Sequence, residues 1–118
     1  MSDSPPVSWR HPKDARLRLE RDFAPLRRGG RRFTGAEATF RILPNDRARP
    51  RLGIATPRQY GSAVRRNRFR RLLREAFRRV AAELAAVDLL GAPRRDLREP
   101  SLDGLVADLL RAAGRRAP

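Results

Sequence analysis

The sequence predicts one α+β domain, an α-β sandwich in which helices pack on a single sheet. Three observations point there. Seven apolar residues from Phe69 to Leu84 recur at helical spacing, AEATFRIL at 36–43 alternates as a half-buried strand does, and a second amphipathic stripe closes the chain. Helical and strand patterns mixed within 118 residues leave room for one layered core and no second domain. A domain of this size buries roughly two-thirds of its unfolded surface, enough to fold alone.

Residues 1–16, with Ser2, Ser4, Pro5, Pro6, Ser8 and Pro12, read as a disordered arm in which Trp9 is a solvated aromatic. A short helix follows over 17–28, its Leu19, Phe23 and Leu26 spaced by four and three. Asp22 as its cap places Pro25 in the first turn, where a missing N–H is harmless, and Gly29-Gly30 stops it. In the strand at 36–43, Ala36, Ala38, Phe40 and Ile42 face one way and Glu37, Thr39, Arg41 and Leu43 the other. Pro44-Asn45-Asp46 opens a polar loop, RLGIAT at 51–56 is a second strand, and 57–61 is a linker. Ser62 caps the long helix, 63–85. AVDLLGA at 86–92 fits a continued helix and a short strand about equally, and the element order takes it as a strand. After a charged loop, Ser101 caps a last helix with Leu102, Leu105, Val106, Leu109 and Leu110 on one side. Asp103 and Arg111 suit that helix's dipole, and 114–118 form a basic tail, which leaves 17–113 as the folded domain.

Arg and Lys total 28 against 13 Asp and Glu, a formal charge of +15, and Lys13 is the only lysine. A surface so basic repels itself and calls for a polyanion. Compositional bias explains the Arg-to-Lys ratio as well as phosphate recognition does, but it does not explain where the arginines sit. Eight lie within 65–79, where Glu75 is the only acid. A charge run is usually a solvated face. Such faces mix signs, however, because like charges at i,i+4 repel by a few tenths of a kcal/mol. Arg66, Arg70, Arg74 and Arg78 form an unbroken i,i+4 row of one sign; Asn67, Arg70, Arg71, Arg74 and Arg78 lie opposite the apolar stripe, with Arg65, Arg66, Arg68 and Arg79 nearer its flanks. A phosphate backbone reverses that penalty. Six neutralised phosphates would lower log affinity by roughly four to five units per decade of salt. Asn67 offers both a donor and an acceptor, which suits a base edge, a 2′-OH or plain solvent equally.

Phe69 and Phe77 lie in the apolar stripe and Phe40 on the Ala/Ile side of its strand, so these three belong to the core; pattern leaves Phe23, Phe33 and Tyr60 open. The sequence supports a basic groove better than a stacking platform. Without Cys there is no disulfide or thiolate metal site, and the single His11 argues against a zinc cluster or a His-based triad. No apolar run approaches the ~20 residues of a membrane span, and the first residues lack a signal-peptide core. No carboxylate pair or Gly-rich phosphate loop stands out. The expectation is a cytoplasmic nucleic-acid-binding module, not a self-sufficient enzyme. An RNA-binding module, such as a structural protein of ribosomal type, and a DNA-binding helix are the readings these residues leave open.

The stretch GSAVRRNRFRRLLREAFR at 61–78 separates them. Gly61, Ala63-Val64, Arg66-Asn67-Arg68, Arg70-Arg71, Arg74, Glu75 and Phe77 closely resemble the signature of the bacterial ribonuclease P protein family. Arg21-Asp22-Phe23, Arg51-Leu52-Gly53-Ile54 and Asp88-Leu89-Leu90 resemble its flanking elements. The resemblance implies a sheet of about four strands packed with three helices, with a left-handed crossover around the Arg-rich helix. It implies a role in removing the 5′ leader from precursor tRNA. The RNA subunit would be the catalyst and would hold most of the Mg2+, and no membrane or obligate protein partner is expected. Arg65, Arg66, Asn67, Arg68, Arg70, Arg71 and Arg74, with Arg78 on the same helix, would contact that RNA. Phe23 would line a leader cleft between the sheet and the first helix. Arg27 and Arg41 stand where many members carry aromatics, and Arg58 at a basic position after the strand, so these three join Phe23 as leader contacts.

Overall fold

The structure, a computed structural model, describes residues 16–17, 20–94 and 99–116. The arm before Arg16 with Trp9, Leu19 of the first helix, most of the charged loop and the last two tail residues lie outside these. The elements are α1 (Glu20–Gly29), β1 (Arg31–Thr34), β2 (Ala38–Pro44), β3 (Arg51–Ile54), α2 (Ala63–Val80), β4 (Val87–Pro93) and α3 (Leu102–Ala113), with single 3₁₀ turns at 58–60 and 81–83. They build a four-stranded mixed sheet in the order β1-β2-β4-β3. β2 pairs antiparallel with both neighbours, whereas β3 and β4 run parallel and are joined through α2. The α+β fold is as expected.

The sheet has different company on its two faces. Ala38, Phe40 and Ile42 of β2 and Leu89 of β4 are buried beneath the apolar stripe of α2 and α3. Gly91 of β4 is what lets Phe40 and Leu73 close over the sheet. A Cβ there would lie 2.8 Å from Leu73 Cδ2 and 2.9 Å from Phe40 Cε1. The opposite face carries α1, which touches β2 and β4 and buries Leu26.

Several boundaries differ from the sequence reading. α1 begins at Glu20, two residues before Asp22, so Pro25 sits inside the helix. Its position is exposed, where the lost backbone hydrogen bond leaves groups that water can reach. RRFT at 31–34 is a strand that the pattern did not reveal. β2 starts at Ala38, so Ala36 and Glu37 belong to the turn before it. β3 stops at Ile54 instead of continuing to Thr56, and α2 gives way at Val80 to the 3₁₀ turn. AVDLLGA resolves as a strand, its pairing satisfied on both edges by β2 and β3. Residues 114–116 of the basic tail dock: Gly114 O accepts from Ala85 N–H, and Arg116 N–H donates to Glu83 O at 2.7 Å.

Candidate nucleic-acid interface

The Arg-rich face exists because α2 buries its other side. Phe69, Leu73, Ala76, Phe77 and Val80 are buried, which turns the arginines outward. Ser62 caps the helix, its Oγ accepting from Arg65 N–H at 3.2 Å. The first turn holds no acid but does hold Arg65 and Arg66. Positive charge at a helix N-terminus opposes the macrodipole, which favours anions there.

The arginines then divide by partner. Arg65 is used within the protein: its Cζ stands 4.4 Å from the Tyr60 ring centroid and its Nη1 donates to Tyr60 O at 2.9 Å. Tyr60 is buried against Phe69, edge to face, which settles its place in the core. Arg68 forms an exposed pair with Glu99 at 3.1 Å. Arg78 is held by Glu75 at 3.0 and 2.5 Å, and Glu75 also takes Arg79 at 3.1 Å. Asn67 Oδ1 accepts from Arg70 Nη1 at 2.8 Å. Arg66, Arg70, Arg71 and Arg74 have no carboxylate partner among the described residues, and Arg66 Nε is buried without an acceptor. The uncompensated ridge is therefore shorter than the row of one sign read from the sequence: Arg78 drops out.

Arg70 and Arg74 meet Arg16 across a cleft floored by Leu52, Gly53 and Ile54 at the edge of β3. Arg16 reaches this place through a parallel bridge to Leu52. Partial burial, then the like charges of Arg16 and Arg70, hold the Arg74 guanidinium below its ordinary pKa. An arriving anion would relieve the repulsion.

A second cationic group lies on the α1 face of the sheet. Phe23 of α1 rests on Gly53, where a Cβ would come within 2.5 Å of Phe23 Cε1. Arg27 stacks at 5.8 Å from the Phe23 centroid. Arg41 is half-buried on this face, and a Cβ at Gly30 would lie 3.3 Å from its Cβ. Phe23, Arg27 and Arg41 thus gather around the join of α1 and the sheet. Arg58 does not share that join; it is exposed in the turn beyond the end of β3. Asp88 would add negative charge to this face, but Arg51 grips it at 2.9 and 2.7 Å and Asn45 Nδ2 adds a bond at 2.8 Å. Among the described residues no three His, Cys, Asp or Glu side chains come together to hold a metal ion, and no helix is long and apolar enough to cross a membrane.

A family profile described as Ribonuclease P matches residues 11–116. The chain belongs to the ribonuclease P protein family. The ribonuclease P protein component of Chlamydia muridarum is 37% identical over 101 residues, covering 85% of this chain and 84% of that one. The component of Chloroflexus aggregans is 40% identical over 98 residues, covering 81% and 73%. The RNase P protein of Thermotoga maritima, solved with a fluorophenyl-thiourea, superposes with a TM-score of 0.72 at 30% identity, covering 86% and 99%. As a ribonuclease P protein component, the chain is part of an endoribonuclease that processes tRNA.

Sequence reading of this ribonuclease P protein missed Glu99 and Arg16, and it gave Glu75 no ion-pair role. Arg68 and Glu99 are 31 residues apart, and no local pattern announces such a pair. Glu75 was legible, since Arg78 and Arg79 follow at i+3 and i+4. The Arg78 hydrogen bond, then that of Arg79, holds the Glu75 carboxyl below the usual carboxylate range. This brace is complete above the ordinary carboxylate pKa and is lost as pH falls through the lowered value. Being at the surface, it is worth only a few tenths of a kcal/mol. Glu75→Gln is expected to leave the melting temperature nearly unchanged and to tighten RNA binding by about threefold, in proportion to a surface ion pair released. Filter binding at two salt concentrations checks this, and weaker binding would show that Glu75 orders the ridge and does not merely mask its end.

Proposed function

We propose that this chain docks the catalytic RNA subunit of ribonuclease P on α2 and receives the 5′ leader of precursor tRNA between α1 and the sheet, so promoting 5′ maturation. The observation that carries the reading is the set of Arg66, Arg70, Arg71 and Arg74 on one helix face, without carboxylate partners among the described residues. These guanidinium groups neutralise phosphates and release their counterions. A folded RNA then needs fewer divalent ions to hold its own charges together. Magnesium is assigned to the RNA subunit, as membership of the family implies. Phe23 offers the leader a ring face, while Arg27 and Arg41 offer charge and planar guanidinium stacking. The compartment follows as the cytoplasm, where precursor tRNA is made.

The test is cleavage of precursor tRNA by the RNA subunit with and without the chain. At low magnesium, the chain is expected to restore cleavage that the RNA alone performs poorly. A rate unchanged by saturating protein would return it to the class of structural RNA-binding proteins.

A further inference from the structure

The sheet register sets a second arginine against Arg41. Arg32 of β1 lies opposite Arg41 of β2, Arg41 opposite Leu90 of β4, and Leu90 opposite Gly53 of β3. Directly paired residues point to the same face. These four residues therefore form one row across the whole sheet, on the face where Phe23 rests on Gly53. The neighbours in β1 confirm the alternation. Arg31 points the other way and donates to Ala112 O of α3 at 3.1 Å, and Phe33 packs against the core.

Like charges directly opposite on a sheet are destabilising. Arg32 is exposed and Arg41 half-buried, and neither pairs with a carboxylate among the described residues. The one acid on this face of the paired strands, Asp88, is taken by Arg51. A charged edge strand guards against sheet-to-sheet association, but that purpose needs no second arginine beside the first. A phosphate between the two guanidinium groups turns their repulsion into a two-point clamp. We propose that Arg32 is a leader contact: with Arg41 it clamps one backbone phosphate of the precursor's 5′ leader, where that strand leaves the cleft over β1. This rests on the leader-cleft reading above and adds to it a residue and an exit path.

The experiment uses holoenzyme reconstituted from the RNA subunit and the full chain as wild type, Arg32→Gln, Arg41→Gln or the double variant. Binding of precursor tRNA with a long single-stranded leader is compared with binding of mature tRNA. Each single substitution is expected to weaken precursor binding by roughly tenfold, the lower end for hydrogen bonds to a charged group. Each is also expected to reduce the salt slope by about 0.7, one single-strand phosphate. The double variant should lose little more than either single, because one phosphate is shared. Mature tRNA binding should not change, and the Arg32→Gln melting temperature should hold or rise. Normal precursor binding by Arg32→Gln beside a weakened Arg41→Gln overturns the clamp and leaves the cleft reading standing. Losses that multiply, or a lowered melting temperature for Arg32→Gln, also overturn it. Equal wild-type affinity for precursor and mature tRNA overturns the cleft reading, and the clamp with it.

Discussion

Replacing Arg70 and Arg74 together with glutamine is expected to weaken binding of the RNA subunit by about a hundredfold or more while the protein stays folded. Hydrogen bonds to charged groups contribute roughly 1.5–3 kcal/mol each, and two of them are lost. Neither side chain braces the fold through a carboxylate among the described residues. Arg70 gives up only an exposed bond to Asn67, and Arg74 gives up a position that partial burial and then like charge make unfavourable. The fold should therefore tolerate the change, and relief of repulsion should keep the melting temperature at or above that of the wild type. The salt dependence supplies a sharper reading. Four unpaired arginines predict a slope of roughly −3 in log affinity against log salt, less steep than a ridge of six would give. Removing two should bring it to about half that value. Titration of labelled RNA subunit at several salt concentrations measures both quantities. An unchanged slope would place the RNA on another surface.

Asp108→Ala is expected to cost about 3–5 kcal/mol of stability, a large share of the ~5–15 kcal/mol typical of a domain. Asp108 is fully buried near the middle of α3, in a helix that otherwise turns apolar residues inward. Its carboxylate receives three backbone N–H groups from the turn that leads into β2. Ala36 donates to Oδ1 at 3.0 Å, and Glu37 and Ala38 donate to Oδ2 at 2.7 and 3.0 Å. The alanine variant removes the acceptor from all three donors, the Ala38 bond buried and the other two part-buried, and each lost bond to the carboxylate costs roughly 1 kcal/mol or more. It also loosens the β1–β2 hairpin that carries Arg41. For a domain of this size each kcal/mol moves the midpoint by about 4–8 °C, so thermal unfolding should begin some 15–30 °C lower. A fall of less than about 5 °C would show that water replaces the carboxylate at little cost.

The two predictions draw on unequal shares of sequence and structure. The α2 ridge was legible because an apolar stripe and a charge row on opposite faces of a long helix declare each other. Asp108 was not, since one acid in a helix reads as surface until a turn 70 residues earlier in the chain is seen folded against it. β1 was hidden for a related reason. RRFT carries two adjacent arginines and is only four residues long, and nothing but its pairing with β2 makes it a strand. β4 was ambiguous because Gly91 weakens the strand pattern, and the same glycine proves to be the gap that Phe40 and Leu73 fill.

The identity of α2 and α3, the sign of the molecule's charge and its family signature were all present in the linear chain, because helical periodicity, composition and spacing are local properties. Which arginines are engaged within the protein was settled by folding. Tyr60 claims Arg65, Glu99 claims Arg68, and the strand register sets Arg32 beside Arg41. Electrostatic interaction depends on distance in space, and only the packed sheet and helices bring those groups within reach of one another.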